Sequence, residues 1–138
     1  MTPDEVRSQL EGIADLDDFP HIARQLVEGW KSQDARVETV EPVLRFIESH
    51  PDIDFGSPGP LVHFVERFYL GGYEEALVES VLRQPRAHTV WMLNRLINGT
   101  TDVEVRTRYI GVMKAVGLNP AADDSAVRYA NQFLERLR

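Results

Sequence analysis

The chain of 138 residues is 43% hydrophobic and 27% charged, which suits one folded domain over residues 1–138 and excludes a disordered chain. It has no cysteine, so disulfides, thiol nucleophiles and cysteine-ligated metals are excluded. The net charge of −7 is uneven: residues 1–60 carry 13 acidic and 5 basic side chains (−8), and residues 61–138 carry 9 and 10 (+1).

Three amphipathic helices are predicted in the first half, in TPDEVRSQLEGIADL, DDFPHIARQLVEGW and TVEPVLRFIESH. Each stretch joins an N-cap residue, a proline in the first turn and apolar residues at helical spacing. The predicted caps are Thr2, either Asp17 or Asp18, and Thr39. The inward stripe predicted for the second helix is Ile22, Leu26 and Trp30.

The glycine- and proline-rich stretch DIDFGSPGP is predicted to be a loop, with Ser57 capping a helix that begins at Pro58 and stops at Gly71 and Gly72. Four more helices follow, in YEEALVESVLRQ, AHTVWMLNRLING, DVEVRTRYIGVMKAVG and DDSAVRYANQFLERLR. The third of these four is expected to start at a capping box of Thr101 and Glu104 and to turn Val105 inward.

These patterns predict an all-α fold of about eight short antiparallel helices. Tight turns between helices of similar length fit a stack of helical hairpins of the HEAT or armadillo kind, and they also fit an irregular bundle. No internal sequence repeat decides between the two architectures.

The chain has no run of 18 apolar residues, and its start, MTPDEVRSQLEG, lacks the basic and apolar regions of a signal peptide. We therefore expect a cytoplasmic protein with no membrane partner. The acidic first half argues against nucleic acid as a partner and favours a basic protein. Solubility alone is the simpler explanation of the same charge.

Familiar catalytic and cofactor-binding motifs are missing from the sequence, including the Walker A loop, the dinucleotide fingerprint, the nucleophile elbow and HExxH. His63 and Glu66 share a helical face, but di-metal carboxylate sites need the reverse order and further glutamates. Asp52 and Asp54 begin like a calcium loop that lacks its glycine at position 6 and its glutamate at position 12. We predict a protein that is not an enzyme, with no cofactor and no metal site. A small helical enzyme or metal-binding regulator using His63 and Glu66 is the weakest alternative.

A second row of side chains follows the predicted helix AHTVWMLNRLING on the side opposite its core face: Trp91, Asn94, Arg95 and Asn98. Tryptophan and arginine often anchor protein interfaces, so this row is one candidate partner-binding surface. The structural alternative makes Trp91 a core residue, Asn94 a hydrogen-bond partner of loop backbone and Asn98 a C-terminal cap beside Gly99.

The second candidate surface is the predicted loop that carries Asp52, Asp54 and Phe55. If the partner is a basic protein, the other acidic residues of the first half, such as Asp15, Asp17 and Asp18, are expected to contact it as well. A buried plug between two helices is the alternative role for Phe55.

The stretches HPDIDFGSPGPLVHFVERFY and HTVWMLNRLINGT resemble a group of small, acidic, all-helical bacterial immunity proteins. These accompany polymorphic toxins, including those of contact-dependent growth inhibition. The resemblance covers roughly residues 46–100 and rests on the words SPGPLVHF and HTVWMLNR.

The resemblance implies a protein that binds a cognate toxin domain in the cytoplasm and neutralises it without catalysis. It implies no particular site residues. A basic nuclease toxin fits the acidic half best, and a deaminase or another toxin stays open. A general helical-repeat scaffold or adaptor is the alternative among binding proteins.

Overall fold

The computed structural model describes residues 1–137, which form eight α-helices and one short 3-10 helix and contain no β-strand. The helices are α1 (Pro3–Ile13), α2 (Phe19–Ser32), α3 (Val40–Ser49), α4 (Pro60–Glu66), α5 (Tyr73–Arg83), α6 (Ala87–Gly99), α7 (Val103–Val116) and α8 (Asp124–Arg136). The 3-10 turn Val37–Thr39 leads into α3. The predicted all-α fold is confirmed.

The described residues divide into two compact units, with the boundary inside α5. Unit 1 comprises Met1–Ala76, and unit 2 begins at Leu77. A chain whose composition suggests one domain therefore has two packing units. No helix within residues 1–137 combines the length and the apolar character needed to cross a membrane.

In unit 1, α1 packs against α2 and α3, and α4 also packs against α2 and α3, so the four helices close a ring of contacts. Two helical hairpins placed side by side give this pattern, which a hairpin stack and a small bundle share. The apolar residues enclosed by the ring include Val6, Leu10, Ala23, Val27, Trp30, Val43, Leu44, Ile47, Leu61, Phe64 and Val65. The Trp30 indole N–H donates to Gln9 Oε1 at 2.8 Å, so its one polar atom is satisfied.

The buried stripe of α2 differs from the predicted one. The helix buries Phe19, Ala23, Val27 and Trp30, and the predicted Ile22 and Leu26 are only half-buried. Phe19 sets this register, because its ring packs among other aromatic rings of unit 1. The side chains at i+4, i+8 and i+11 from it then point the same way.

Helix α4 begins at Pro60, two residues later than predicted, and Ser57 does not cap it. Its N-cap is Gly59, with φ of +95°. A Cβ at Gly59 would lie 1.7 Å from the carbonyl oxygen of Phe55, so only glycine fits this close return of the chain. Pro60 then takes the first helical position, where its missing N–H costs nothing.

The caps of α3 and α7 also depart from the predictions. Thr39 is the N-cap residue of α3, as predicted, but its Oγ1 donates to the carbonyl of Arg36 at 2.5 Å and does not cap the helix, because a 3-10 turn precedes it. Helix α7 is capped by Asp102, which accepts from the Val105 N–H at 3.0 Å, and not by Thr101. A carboxylate at this position also suits the helix dipole. The predicted cap of α1 is confirmed, since Thr2 Oγ1 accepts from the Glu5 N–H at 3.1 Å.

In unit 2, α6, α7 and α8 each pack against the other two. Their buried residues include Val90, Leu93, Ile97, Tyr109, Met113, Val116, Ala126, Ala130 and Phe133, whereas the predicted core residue Val105 is 37% exposed. Arg86, at the start of α6, lies 3.2 Å from Asp123. Asp123 is the N-cap of α8, where its other oxygen accepts from the Ala126 N–H at 2.8 Å.

Candidate interaction surfaces

Three phenylalanines from separate parts of unit 1 form a buried aromatic cluster. The Phe19 and Phe46 rings stack with centroids 5.8 Å apart, and Phe55 meets both rings edge-on, at 5.5 Å and 6.0 Å. All three side chains are at most 5% exposed. The cluster therefore ties together the start of α2, the end of α3 and the loop that follows α3.

This cluster joins two loops that carry the predicted aspartates, residues 14–18 between α1 and α2 and residues 50–59 between α3 and α4, which we call the acidic loops. Asp18 directly precedes Phe19 and Asp54 directly precedes Phe55, so the contact between the two rings places the two loops side by side at one end of unit 1. A second contact agrees with this placement: His50 Nε2 lies 3.7 Å from Glu11 Oε2, which joins the C-terminal ends of α1 and α3.

The side chains of all five predicted aspartates are exposed at this place. We call Asp15, Leu16, Asp17, Asp18, Asp52 and Asp54 the acidic end. Asp54 Oδ1 accepts from the Gly56 N–H at 2.9 Å and so also fixes its own loop. Asp18 has φ of +55° and makes no side-chain cap to α2, which leaves its carboxylate on the surface.

The two units of the chain carry opposite net charges. Residues 1–76 carry 16 acidic and 6 basic side chains, a net charge of −10. Residues 77–138 carry 6 acidic and 9 basic side chains, a net charge of +3. The acidic end therefore lies on a unit whose whole field attracts cations and basic surfaces.

The described residues offer no metal centre that would account for these acids. No group of three or more His, Asp or Glu side chains within residues 1–137 could hold a metal ion, which also applies to His63 and Glu66. A cleft of about 370 Å³ lies between α1 and α3 in unit 1. Its lining mixes Arg7 and Arg45 with Glu11 and Glu41, so it has no single charge preference.

In unit 2, the predicted row on α6 contributes to a different surface. Trp91 is 48% exposed, so its predicted alternative as a core residue is wrong. Its ring meets Tyr129 and Phe133 of α8 edge-on, each with centroids 5.5 Å away. Asn94 is half-buried, Arg95 and Asn98 are exposed, and the C-cap of α6 is Thr100 and not Asn98.

Two arginines of α8 lie over the rings beside Trp91. The guanidinium carbon of Arg128 is 5.4 Å from the centre of the Tyr129 ring, and that of Arg136 is 5.9 Å from the centre of the Phe133 ring. Both distances are within the range of cation–π attraction. We call Trp91, Tyr129, Phe133, Arg128 and Arg136 the arginine–aromatic face.

Comparison with protein-family models, with curated proteins and with solved structures found no match to this chain.

The predicted site residues therefore fall into two separate sets. The five aspartates lie on the two loops that the contact of Phe19 with Phe55 brings together, while Trp91, Asn94, Arg95 and Asn98 belong to unit 2. Phe55 was predicted as a candidate contact, but it is 2% exposed and acts as the plug that positions the acidic loops.

Two surface features were not predicted from the sequence. Leu16 is 49% exposed between Asp15 and Asp17, and an apolar residue flanked by acids at the end of the first predicted helix is the signal for it. Tyr129 lies one helical turn before Phe133, and this i, i+4 aromatic pair is the signal for the arginine–aromatic face.

Proposed function

We propose that this protein is an immunity protein that binds and neutralises a basic toxin domain in the cytoplasm through its acidic end. The observation that carries the proposal is the aromatic cluster of Phe19, Phe46 and Phe55, which gathers two distant acidic loops on a unit of net charge −10. The resemblance of residues 46–100 to small helical immunity proteins points to the same function.

The proposed mechanism is stoichiometric binding without catalysis. The negative field of unit 1 speeds the encounter with a basic surface, and the carboxylates fix the orientation of the partner. Leu16 then supplies an apolar contact in the middle of the acids, which suits the anatomy of a protein interface. A nuclease is the best-fitting toxin, since a site that binds phosphates is basic and accepts carboxylates in their place.

A rescue experiment tests the function. The C-terminal domain encoded by the neighbouring open reading frame is expressed inducibly in bacteria, with and without this protein, and survivors are counted. We expect rescue together with a one-to-one complex that co-purifies. A neighbour that is not toxic, or toxicity that persists although this protein is soluble, would contradict the proposal and favour the scaffold alternative.

Three charge reversals, two at the acidic end and one matched control, test the acidic end in the same complex. Asp17→Lys and Asp52→Lys change surface carboxylates of the acidic end, and Glu38→Lys makes the same charge change before the other end of α3. We expect the first two to lower the association rate constant about tenfold at low salt, and the control to lower it less than about threefold. Equal effects of all three variants would show that only net charge matters and that the acidic end is not the binding site.

A further inference from the structure

We infer that the arginine–aromatic face of unit 2 is a separate docking surface for an acidic segment of a partner polypeptide, with carboxylates flanking an apolar side chain. The inference is independent of the proposed function, which concerns unit 1 and a basic partner.

The exposed apolar centre of the face is Trp91. Its 48% exposure contrasts with the 1% exposure of Trp30, so the protein leaves one of its two tryptophans about half open to solvent. The rings of Tyr129 and Phe133 hold it edge-on from α8, which fixes its orientation without covering it. A rigid, partly exposed tryptophan is a common anchor of protein interfaces.

The charge around this centre is positive. Among the described residues, Arg128 and Arg136 lie over aromatic rings and are not in ion pairs with carboxylates. Arg95 follows Trp91 by one helical turn and is also exposed. Asp124 and Glu135 are exposed acidic residues on α8 near these arginines, and the three arginines outnumber them, which leaves the face with a net positive charge.

The geometry favours carboxylates over nucleic-acid bases as the ligand. A guanidinium at this distance from a ring can still donate two N–H groups to a carboxylate as a bidentate pair. The Tyr129 and Phe133 rings stack on each other with centroids 6.2 Å apart, and Phe133 is only 3% exposed, so these rings are poor platforms for bases. The net charge of −7 further disfavours a long polyanion, whose phosphates extend beyond the face.

The test uses the intrinsic fluorescence of Trp91 in the full chain. A short copolymer of glutamate and tyrosine is titrated at low salt, beside a copolymer of lysine and tyrosine and an oligothymidylate of the same length. We expect a saturable change of tryptophan emission with the acidic copolymer. This change should be lost in Trp91→Phe, because the remaining tryptophan, Trp30, is buried and hydrogen-bonded to Gln9.

Three further variants locate the binding. Arg128→Glu should weaken binding of the acidic copolymer about tenfold, while Lys114→Glu, an equal charge change on the exposed side of α7, should weaken it less than about twofold. Arg128→Lys keeps the charge but not the bidentate fork, so we expect an intermediate loss. Circular dichroism verifies that each variant is folded.

Three outcomes would overturn the inference. One is the absence of saturable binding of the acidic copolymer at low salt. Another is equal weakening by Arg128→Glu and Lys114→Glu, which would reduce the effect to net charge. The third is tighter binding of the oligothymidylate with the same dependence on Arg128, which would assign the face to single-stranded nucleic acid.

Discussion

Gly59 shows how one residue fixes the loop that carries two of the five aspartates of the acidic end. Its φ of +95° and the closeness of the Phe55 carbonyl leave no room for a Cβ. We expect Gly59→Ala to lower the free energy of unfolding by at least ~3 kcal/mol, because the main chain must move to relieve the overlap. Urea denaturation followed by circular dichroism measures this change.

Gly29 in α2 is the matched control, since a Cβ there would meet nothing within 4 Å. Gly29→Ala should raise the free energy of unfolding by about 0.5–1 kcal/mol, because alanine is the better helix former. If both substitutions had small effects, the tight loop around Gly59 would not contribute to stability in the way we describe.

Phe55 illustrates a functional role that is indirect. As an exposed contact it would bind the partner itself, but at 2% exposure it instead holds the Asp52–Asp54 loop against Phe19. Residue type alone cannot separate these roles, because phenylalanine is suited both to cores and to interfaces.

At the scale of elements, Asp123 links two helices of unit 2. It caps α8 and lies 3.2 Å from Arg86 at the start of α6, and the two side chains are 33% and 15% exposed. Asp123→Asn keeps the capping oxygen and loses the ion pair, so it should cost less than about 1 kcal/mol of stability. Asp123→Ala also loses the cap and should cost about 1–2 kcal/mol.

Thermal unfolding at two salt concentrations separates these contributions. The difference between the wild type and Asp123→Asn should shrink as salt rises, whereas the additional loss in Asp123→Ala should persist, since a cap hydrogen bond is little screened. Equal loss in both variants at low salt would mean that the cap contributes nothing to stability.

Helix positions were largely predictable at this scale, while helix starts were not. The core residues of α3 and α6 recur at helical spacing, which is visible in any linear sequence. The starts of α4 and α7 depend on choices between neighbouring residues, such as Asp102 over Thr101. Such choices are decided by main-chain geometry that the neighbours impose.

At the scale of the whole molecule, the boundary between the two packing units also separates a negatively charged part of the chain from a positively charged part. Unit 1 has a net charge of −10, so its acidic side chains repel one another. Added salt screens this repulsion and should therefore stabilise the fold. We expect the free energy of unfolding in urea to rise by about 1 kcal/mol between roughly 10 and 300 mM sodium chloride.

Asp15→Asn serves as the comparison, because Asp15 is exposed on unit 1 and its substitution removes one negative charge without changing size. The variant should be slightly more stable at low salt and should gain less from added salt. Stability that does not depend on salt in either protein would show that the acidic side chains are too far apart to repel one another appreciably.

The sequence by itself determined the all-α class, most helices and the uneven charge, because helical spacing, caps and ionisable groups are local properties of the chain. Only the tertiary structure decided that two acidic loops meet at one end of unit 1 and that Trp91 stays exposed beside Arg128 and Arg136. Both arrangements depend on ring contacts between residues far apart in the chain, Phe19 with Phe55 and Trp91 with Phe133. Periodicity predicts which face of a helix is buried, but not which distant side chains share the space against it.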